Sequence, residues 1–303
     1  MQFSFIRAAK FFLPLSAVAV VASVVLFITP GPQVSIEFTG GTLMEVQLPE
    51  GKMQQDLSSA LSSFTMSGGT TLSAANLSKT RTGSWFVRTE ILTNDQHNNL
   101  VAHLQKQLGS VQELQFTTIG PTVGASLKRH AFWALLAACG AIMVFLAFSF
   151  RKVPRNLNPW SFGITAIAAL VHDILIILGI FTILSHVTTF QVDTLFVTAL
   201  LSIMGHSVSD TIVIFDRIRE TLSNSGKHDN ISDIADEALT ACLSRTFSTG
   251  LGMLIMLISL FIFGSDAIRW FMLALIIGTV IGMYSSYFVA TPLLVFWKKR
   301  SRR

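Results

Sequence analysis

Five ionisable residues in or beside apolar runs stand out in this sequence, His172, Asp173, His206, Asp210 and Arg245, whereas Asp193 and Asp266 fall at outer edges where water can reach them. A charged group in hydrocarbon costs several kcal/mol, so each of the five is a functional candidate from the outset. Asp210 and Arg245 form the combination best suited to chemistry. A carboxylate beside a guanidinium stays ionised, whereas desolvation alone raises its pKa, so small movements could switch it between states. Proton transfer requires such a site, although a static ion pair satisfies the same spacing. His206 precedes Asp210 by four residues and shares its helical face. Ser202, Ser207 and Ser209 make that stretch polar enough to hold water. Relay through His206 and Ser209 is one reading, because imidazole titrates near neutral pH. A histidine bonded to a neighbouring carbonyl is the other. His172 and Asp173 are adjacent, so they point about 100° apart on a helix and are expected to face different neighbours.

These residues need long helices to hold them. Of the 303 residues, 51% are hydrophobic and only 13% charged. That balance excludes a conventional soluble globule, a disordered chain and a fibrous repeat. A bilayer-spanning helix takes about 20 mostly apolar residues. Six such runs are predicted, at Phe11–Ile28, Ala131–Phe150, Trp160–Leu184, Val192–Phe215, Phe247–Phe263 and Trp270–Trp297. The first is expected to be a retained anchor rather than a cleaved signal, since Thr29-Pro30-Gly31-Pro32 is a poor cleavage site. By rise per residue, Asp210 lies ~10 Å inward of the middle of the fourth run and Arg245 ~13 Å inward of the fifth. Similar depth on consecutive helices is therefore expected. Gly278 and Gly282 have the spacing that lets helices approach closely.

Basic residues set the expected orientation. With the N-terminus inside, the inner segments hold Arg7, Lys10, Arg151, Lys152, Arg155, Arg217, Arg219, Lys227, Arg245 and the tail from Lys298 to Arg303. The short outer loops hold only Arg269. Both termini are expected in the cytoplasm. The predicted division is 1–29 for the N-terminus and first span and 30–129 for an outer domain. Residues 130–297 carry the other spans, with a cytoplasmic loop at 216–246, and 298–303 form a basic tail. Within that loop, Ile231–Leu243 reads as a short interfacial helix.

The outer segment is composed differently. Ile36–Phe38, Leu43–Leu48, Trp85–Arg88 and Val111–Thr118 favour strands, while Met53–Phe64 and Asp95–Leu108 have helical spacing. Gly40-Gly41 and Gly68-Gly69 mark turns. An α+β domain with interleaved strands and helices follows. Cys139 and Cys242 cannot make a disulfide framework. The sequence has no phosphate-binding GxxxxGK[ST] loop, no HExxH and no CxxC pair. It suggests no cofactor, no metal and no hydrolytic enzyme, so an ion gradient is the expected source of work.

The motifs resemble the SecD/SecF family of protein-export membrane proteins. The resemblance rests on Ser35-Ile36-Glu37-Phe38-Thr39-Gly40-Gly41-Thr42, on Gly120-Pro121-Thr122-Val123-Gly124 and on His172-Asp173-Ile174. It extends to Ser209-Asp210 continuing through Asp216-Arg217-Ile218-Arg219-Glu220, and to Ser244-Arg245-Thr246. Glu37, His206 and Ser209 stand where the family more often carries Asp, Tyr and Asn. The resemblance implies six membrane helices of resistance-nodulation-division type and a ferredoxin-like α+β outer domain. It implies an inner-membrane location, assembly with SecD, contact with SecYEG, YajC, preproteins and lipid, and no nucleic acid. It also implies use of the proton gradient through Asp210 and Arg245, opposite an aspartate from SecD. Two other readings stay open: a proton-coupled half-transporter of a small substrate, and a passive scaffold.

Overall fold

The computed structural model describes residues 4–65, 72, 76–80, 82–150, 159–224 and 230–301. The chain divides into two compact units. One comprises Gln33–Phe132 together with Leu184–Thr194, and the other Met1–Pro32, Trp133–Ile183 and Leu195–Arg303. The predicted turn at Gly68-Gly69 lies outside the described residues.

The chain runs through α1 (Phe5–Ile28) into a single helical turn, α2 (Ile36–Thr39). The sequence pattern favoured a strand at Ile36–Phe38. Instead Ser35 takes the extended cap conformation and its side chain accepts from the Glu37 N–H, starting a turn that buries Ile36 and Phe38. Three residues are too short a run for alternation to decide. Next come β1 (Gly41–Gln47), α3 (Gln54–Ser62), β2 (Asn76–Lys79), β3 (Trp85–Thr89), α4 (Asn94–Leu108) and β4 (Gln112–Ile119). The strand order is β2-β3-β1-β4 and every pairing is antiparallel. Strand–helix–strand repeated twice in that order is the ferredoxin-like arrangement.

Both helices present apolar stripes to one face of the sheet. Leu100, Leu104 and Leu108 of α4 are buried, as their spacing predicts. They join Leu57 of α3 with Met44, Val46 and Val87 of the strands. β2 went unread, because Asn76-Leu77-Ser78-Lys79 carries little strand preference. It forms by completing the edge of β3.

The two glycine-bearing motifs of this unit pack on one another. A side chain at Gly124 would place its Cβ 3.0 Å from the Gly40 nitrogen and 3.2 Å from the Phe38 oxygen. Gly41 has a φ of 137°, and a Cβ there would sit 2.9 Å from the Thr89 carbonyl oxygen of the paired strand. Backbone lies on backbone.

Among the described residues, six helices are long and apolar enough to cross a membrane: Phe5–Ile28, Pro121–Leu146, Trp160–Val187, Thr194–Asn224, Ile231–Phe263 and Asp266–Lys299. Besides α1 these are α5 (Pro121–Ser149), α6 (Pro159–Val187), α7 (Thr194–Asn224) and α8 (Ile231–Phe263). The last begins as α9 (Asp266–Ser285), passes through a π-helical turn at Ser286–Ala290 and ends as α10 (Thr291–Ser301). Their outward faces are apolar, with Phe11, Val18, Val144, Leu251 and Phe263 well exposed. Such faces suit lipid.

Two boundaries differ most from expectation. α5 starts ten residues before Ala131, because Pro121 is pre-shaped for a first helical position. The short helix at Ile231–Leu243 and the span at Phe247–Phe263 form one helix of 33 residues. Ser244-Arg245-Thr246 between them is polar but contains no helix breaker. Inside the bundle, Phe162 stacks on Phe150 at 5.1 Å and meets Phe215 edge-on at 5.4 Å. Gly278 and Gly282 bring α9 against Ile203 and Ser207 of α7, in keeping with their small-residue spacing.

Gly41→Ala should destabilise the α+β unit by about 1–3 kcal/mol, through backbone strain and the clash with Thr89. Urea-dependent proteolysis of the full-length chain in detergent would measure the loss.

Candidate functional site

Among the described residues, the sequence candidates of the membrane unit gather in two centres, one closed and one open. The closed centre is Asp173 on α6, which has no exposed surface. Its Oδ2 accepts from Ser207 Oγ of α7 at 2.5 Å and from Ser285 Oγ of α9 at 2.8 Å. Its Oδ1 lies 2.9 Å from His172 Nδ1. Three helices thus converge on one carboxylate. The convergence has a local cause: Gly282 lets Ser207 approach to within 3.2 Å of where its own Cβ would be. The π-helical turn beginning at Ser286 then helps aim consecutive serines inward. While Ser285 serves Asp173, Ser286 Oγ meets Thr211 Oγ1 at 2.9 Å. π-turns inside helices mark functional positions unusually often.

The sequence argument set His172 and Asp173 apart, and the structure corrects it. Both are buried, at 6% and 0% exposure, and they contact each other directly. A 100° offset separates the Cβ directions, but an imidazole is long enough to fold back across it. The His172 ring also stacks on Tyr284 at 6.4 Å, and the Tyr284 hydroxyl lies 2.9 Å from Ser16 Oγ of α1.

The open centre is Asp210. His206, Ser209, Asp210 and Val213 of α7, with Arg245, Thr246 and Thr249 of α8, line a cavity of about 140 Å³. A water needs only ~10–15 Å³ of such space and a few polar partners, so this one can hold several. His206 Nδ1 lies 4.0 Å from Asp210 Oδ2. Among the described residues, neither of those two buried atoms has a hydrogen-bond partner. Among the described residues Asp210 reaches His206, and not Arg245, within 4.0 Å. Arg245, Ser209 and Thr249 are exposed on the flank of the bundle. Facing helices therefore bring Asp210, His206 and Arg245 to one polar cavity without locking them together.

The remaining sequence candidates have structural places. Asp216–Arg219 at 2.6 Å and Arg217–Glu220 at 2.7 Å are interleaved ion pairs on the last turns of α7. Thr42 Oγ1 meets Thr118 Oγ1 at 3.0 Å and accepts from the Leu92 N–H at 3.0 Å. Thr39 Oγ1 donates to the Ser35 carbonyl at 3.2 Å. Gly120 and Pro121 lead into α5, and Phe38, Gly40 and Gly124 form the backbone contact described above. Glu37 Oε2 accepts from the Thr194 N–H and hydroxyl, at 2.8 and 2.7 Å. Sequence reasoning missed Ser285 and Ser286. Two consecutive hydroxyls inside an apolar run were the available signal.

A helical bundle of membrane-spanning length, with buried ionisable centres and a ferredoxin-like insertion after its first helix, defines a multi-pass membrane protein. Comparison with known proteins places it further. Residues 99–300 match the family model "Protein export membrane protein SecD/SecF, C-terminal". The chain is 36% identical to protein translocase subunit SecF of Thermobaculum terrenum, over 94% of this chain and 91% of that one. It is 34% identical to the SecF subunit of Alicyclobacillus acidocaldarius, over 100% and 95%. The crystal structure of SecDF from Thermus thermophilus, a translocon-associated membrane protein, superimposes with a TM-score of 0.85 at 27% identity. It covers 99% of this chain, which spans only 39% of the length of that SecDF chain. SecDF in its super-membrane-facing form gives a TM-score of 0.70 over 100% of this chain. The chain belongs to the SecD/SecF family.

Asp173→Ala would leave Ser207 and His172 without this partner, while Ser285 keeps the Gly282 carbonyl, and should cost about 1–3 kcal/mol for each group left unsatisfied. Asp173→Asn keeps a carbonyl oxygen for the serines and should cost clearly less. Thermal unfolding of the purified chain in detergent would rank the two.

Proposed function

We propose that this chain acts as a SecF-type subunit of the inner membrane. In this reading both termini are cytoplasmic and the α+β unit is outside. Paired with SecD, and in contact with SecYEG and YajC, it uses the proton gradient to promote preprotein movement and release. The observation that carries the reading is the Asp210 cavity. A carboxylate, an imidazole and a guanidinium share it, and among the described residues neither Asp210 Oδ2 nor His206 Nδ1 has a hydrogen-bond partner. A structural ion pair would be closed, as Asp173 is.

The chemistry follows from charge. An ionised Asp210 attracts Arg245 across the cavity, and protonation cancels that attraction. Loss of the pull leaves α7 and α8 free to change their spacing. Release of the proton toward the cytoplasm restores the first state. Each charge moved through 100 mV supplies ~2.3 kcal/mol, comparable to the gap between two packed states. His206, one turn from Asp210, stands where an incoming proton can be passed on. Exposed Ser209, Arg245 and Thr249 make the cavity flank too polar for lipid, which supports a covering helix bundle from SecD with a facing carboxylate.

Asp210→Asn should reduce gradient-stimulated export to the level seen without a gradient, while copurification with SecD persists. Export into inverted membrane vesicles, with and without an imposed proton gradient, checks this. Unchanged gradient stimulation in that variant would overturn the reading. Replacing His206 by Tyr puts a hydroxyl at the cavity wall in place of the imidazole and should retain most export. Replacing it by Phe should slow export several-fold, read in the same vesicles across a range of pH.

A further inference from the structure

The connection between α6 and α7 belongs to the same compact unit as the ferredoxin-like sheet. It is stitched to the segment that precedes β1. The Val192 N–H donates to the Gln33 carbonyl at 2.9 Å, and the Ser35 N–H donates to the Val192 carbonyl at 2.9 Å. These bonds make a parallel bridge between Val34 and Val192. The Gln33 N–H adds a bond to Ser185 Oγ at 3.1 Å, near the end of α6. Glu37 adds a charged group to the seam. Its Oε2 accepts from both the backbone N–H and the hydroxyl of Thr194, the first residue of α7.

A helix leaves its first four N–H groups without intrahelical partners, and its N-terminus carries a partial positive charge. A carboxylate there makes charge-assisted bonds of roughly twice the neutral strength. Glu37 thus grips the end of the helix that carries Asp210. Past Glu37 the chain reaches β1 within four residues, through Gly40 and Gly41, whose backbones are packed against Pro121 and Thr89. Within this unit, few residues separate the Glu37–Thr194 contact from β1.

We propose that Glu37 is a positioning residue, a clasp through which displacement of α7 is transmitted to the α+β unit. This rests on the proton-driven function proposed above. It assigns Glu37 to the coupling step and leaves proton passage to Asp210 and Arg245. A carboxylate at the end of a short helical turn can follow the α7 terminus as a rigid link. The main-chain bonds around Val192 guide it without fixing the helix end itself.

The test uses the chain reconstituted with SecD in proteoliposomes, comparing Glu37→Ala, Glu37→Gln and Asp210→Asn. Three readouts are taken: amide exchange at Thr194 and Leu195, proton conductance, and gradient-stimulated export. Glu37→Ala should speed exchange at Thr194 about tenfold, as loss of a local bond frees a helix end. It should leave proton conductance at the unsubstituted level and abolish gradient-stimulated export. Glu37→Gln keeps a neutral acceptor and should recover part of both protection and export. Normal export despite lost protection would overturn the clasp, as would a fall in conductance parallel to export. Should Glu37→Ala not accumulate, Glu37→Gln combined with Thr194→Val gives the same readouts with a smaller perturbation. Normal conductance in Asp210→Asn would instead strike the proposed proton function, whatever the exchange at Thr194 shows.

Discussion

A charge inside hydrocarbon must find its solvent in the protein, and that constraint organises the membrane unit. Asp173 meets it fully: two serine hydroxyls and an imidazole replace the water it has lost. To deliver them, α7 and α9 must approach closely, which Gly282 permits, and α9 must present consecutive serines, which the following π-turn assists. The packing of three helices is therefore set around one carboxylate. Asp210, on the same α7, is treated in the opposite way. Its Oδ2 faces a polar cavity with His206 at 4.0 Å and no hydrogen bond among the described residues. The first carboxylate is closed in by its hydrogen bonds, and the second is left open to the cavity.

The same helix begins within the ferredoxin-like unit. Its first residue, Thr194, is held by Glu37, and sixteen residues on it carries Asp210. The glycine motifs acquire a physical role in this setting. Gly40, Gly41 and Gly124 bear no reactive group, yet each lies where a side chain would meet backbone. They let the segment after Glu37, the start of α5 and the β1–β3 pair share a space that only bare backbone fits. The chain between the α7 terminus and the sheet is consequently short and tightly packed.

Much of this was legible in the sequence because it depends on local pattern. Hydrophobic runs marked the membrane helices, and the Leu100, Leu104, Leu108 stripe marked the buried face of α4. Local pattern also misled where tertiary contacts outweighed it. Ile36–Phe38 became a helical turn, Asn76–Lys79 became an edge strand, and the polar stretch at Ser244–Thr246 passed through an unbroken helix. In the site, the side chains expected to work on Asp210 were named in advance. Of the serines that hydrogen-bond Asp173, Ser207 was read only as part of a polar stretch and Ser285 not at all.

By itself the sequence determined how many helices could span a bilayer, the mixed α+β character of the insertion, and which ionisable residues sit in apolar surroundings. Each follows from composition and periodicity within about twenty residues, the length over which the solvent preference of a helix is decided. Only the tertiary structure decided which carboxylate is satisfied and which is left open. The partners that settle it stand 34 and 112 residues from Asp173, and Glu37 meets its partner across 157. Hydrogen bonds over such separations depend on helix spacing and rotation, and a one-dimensional pattern carries neither.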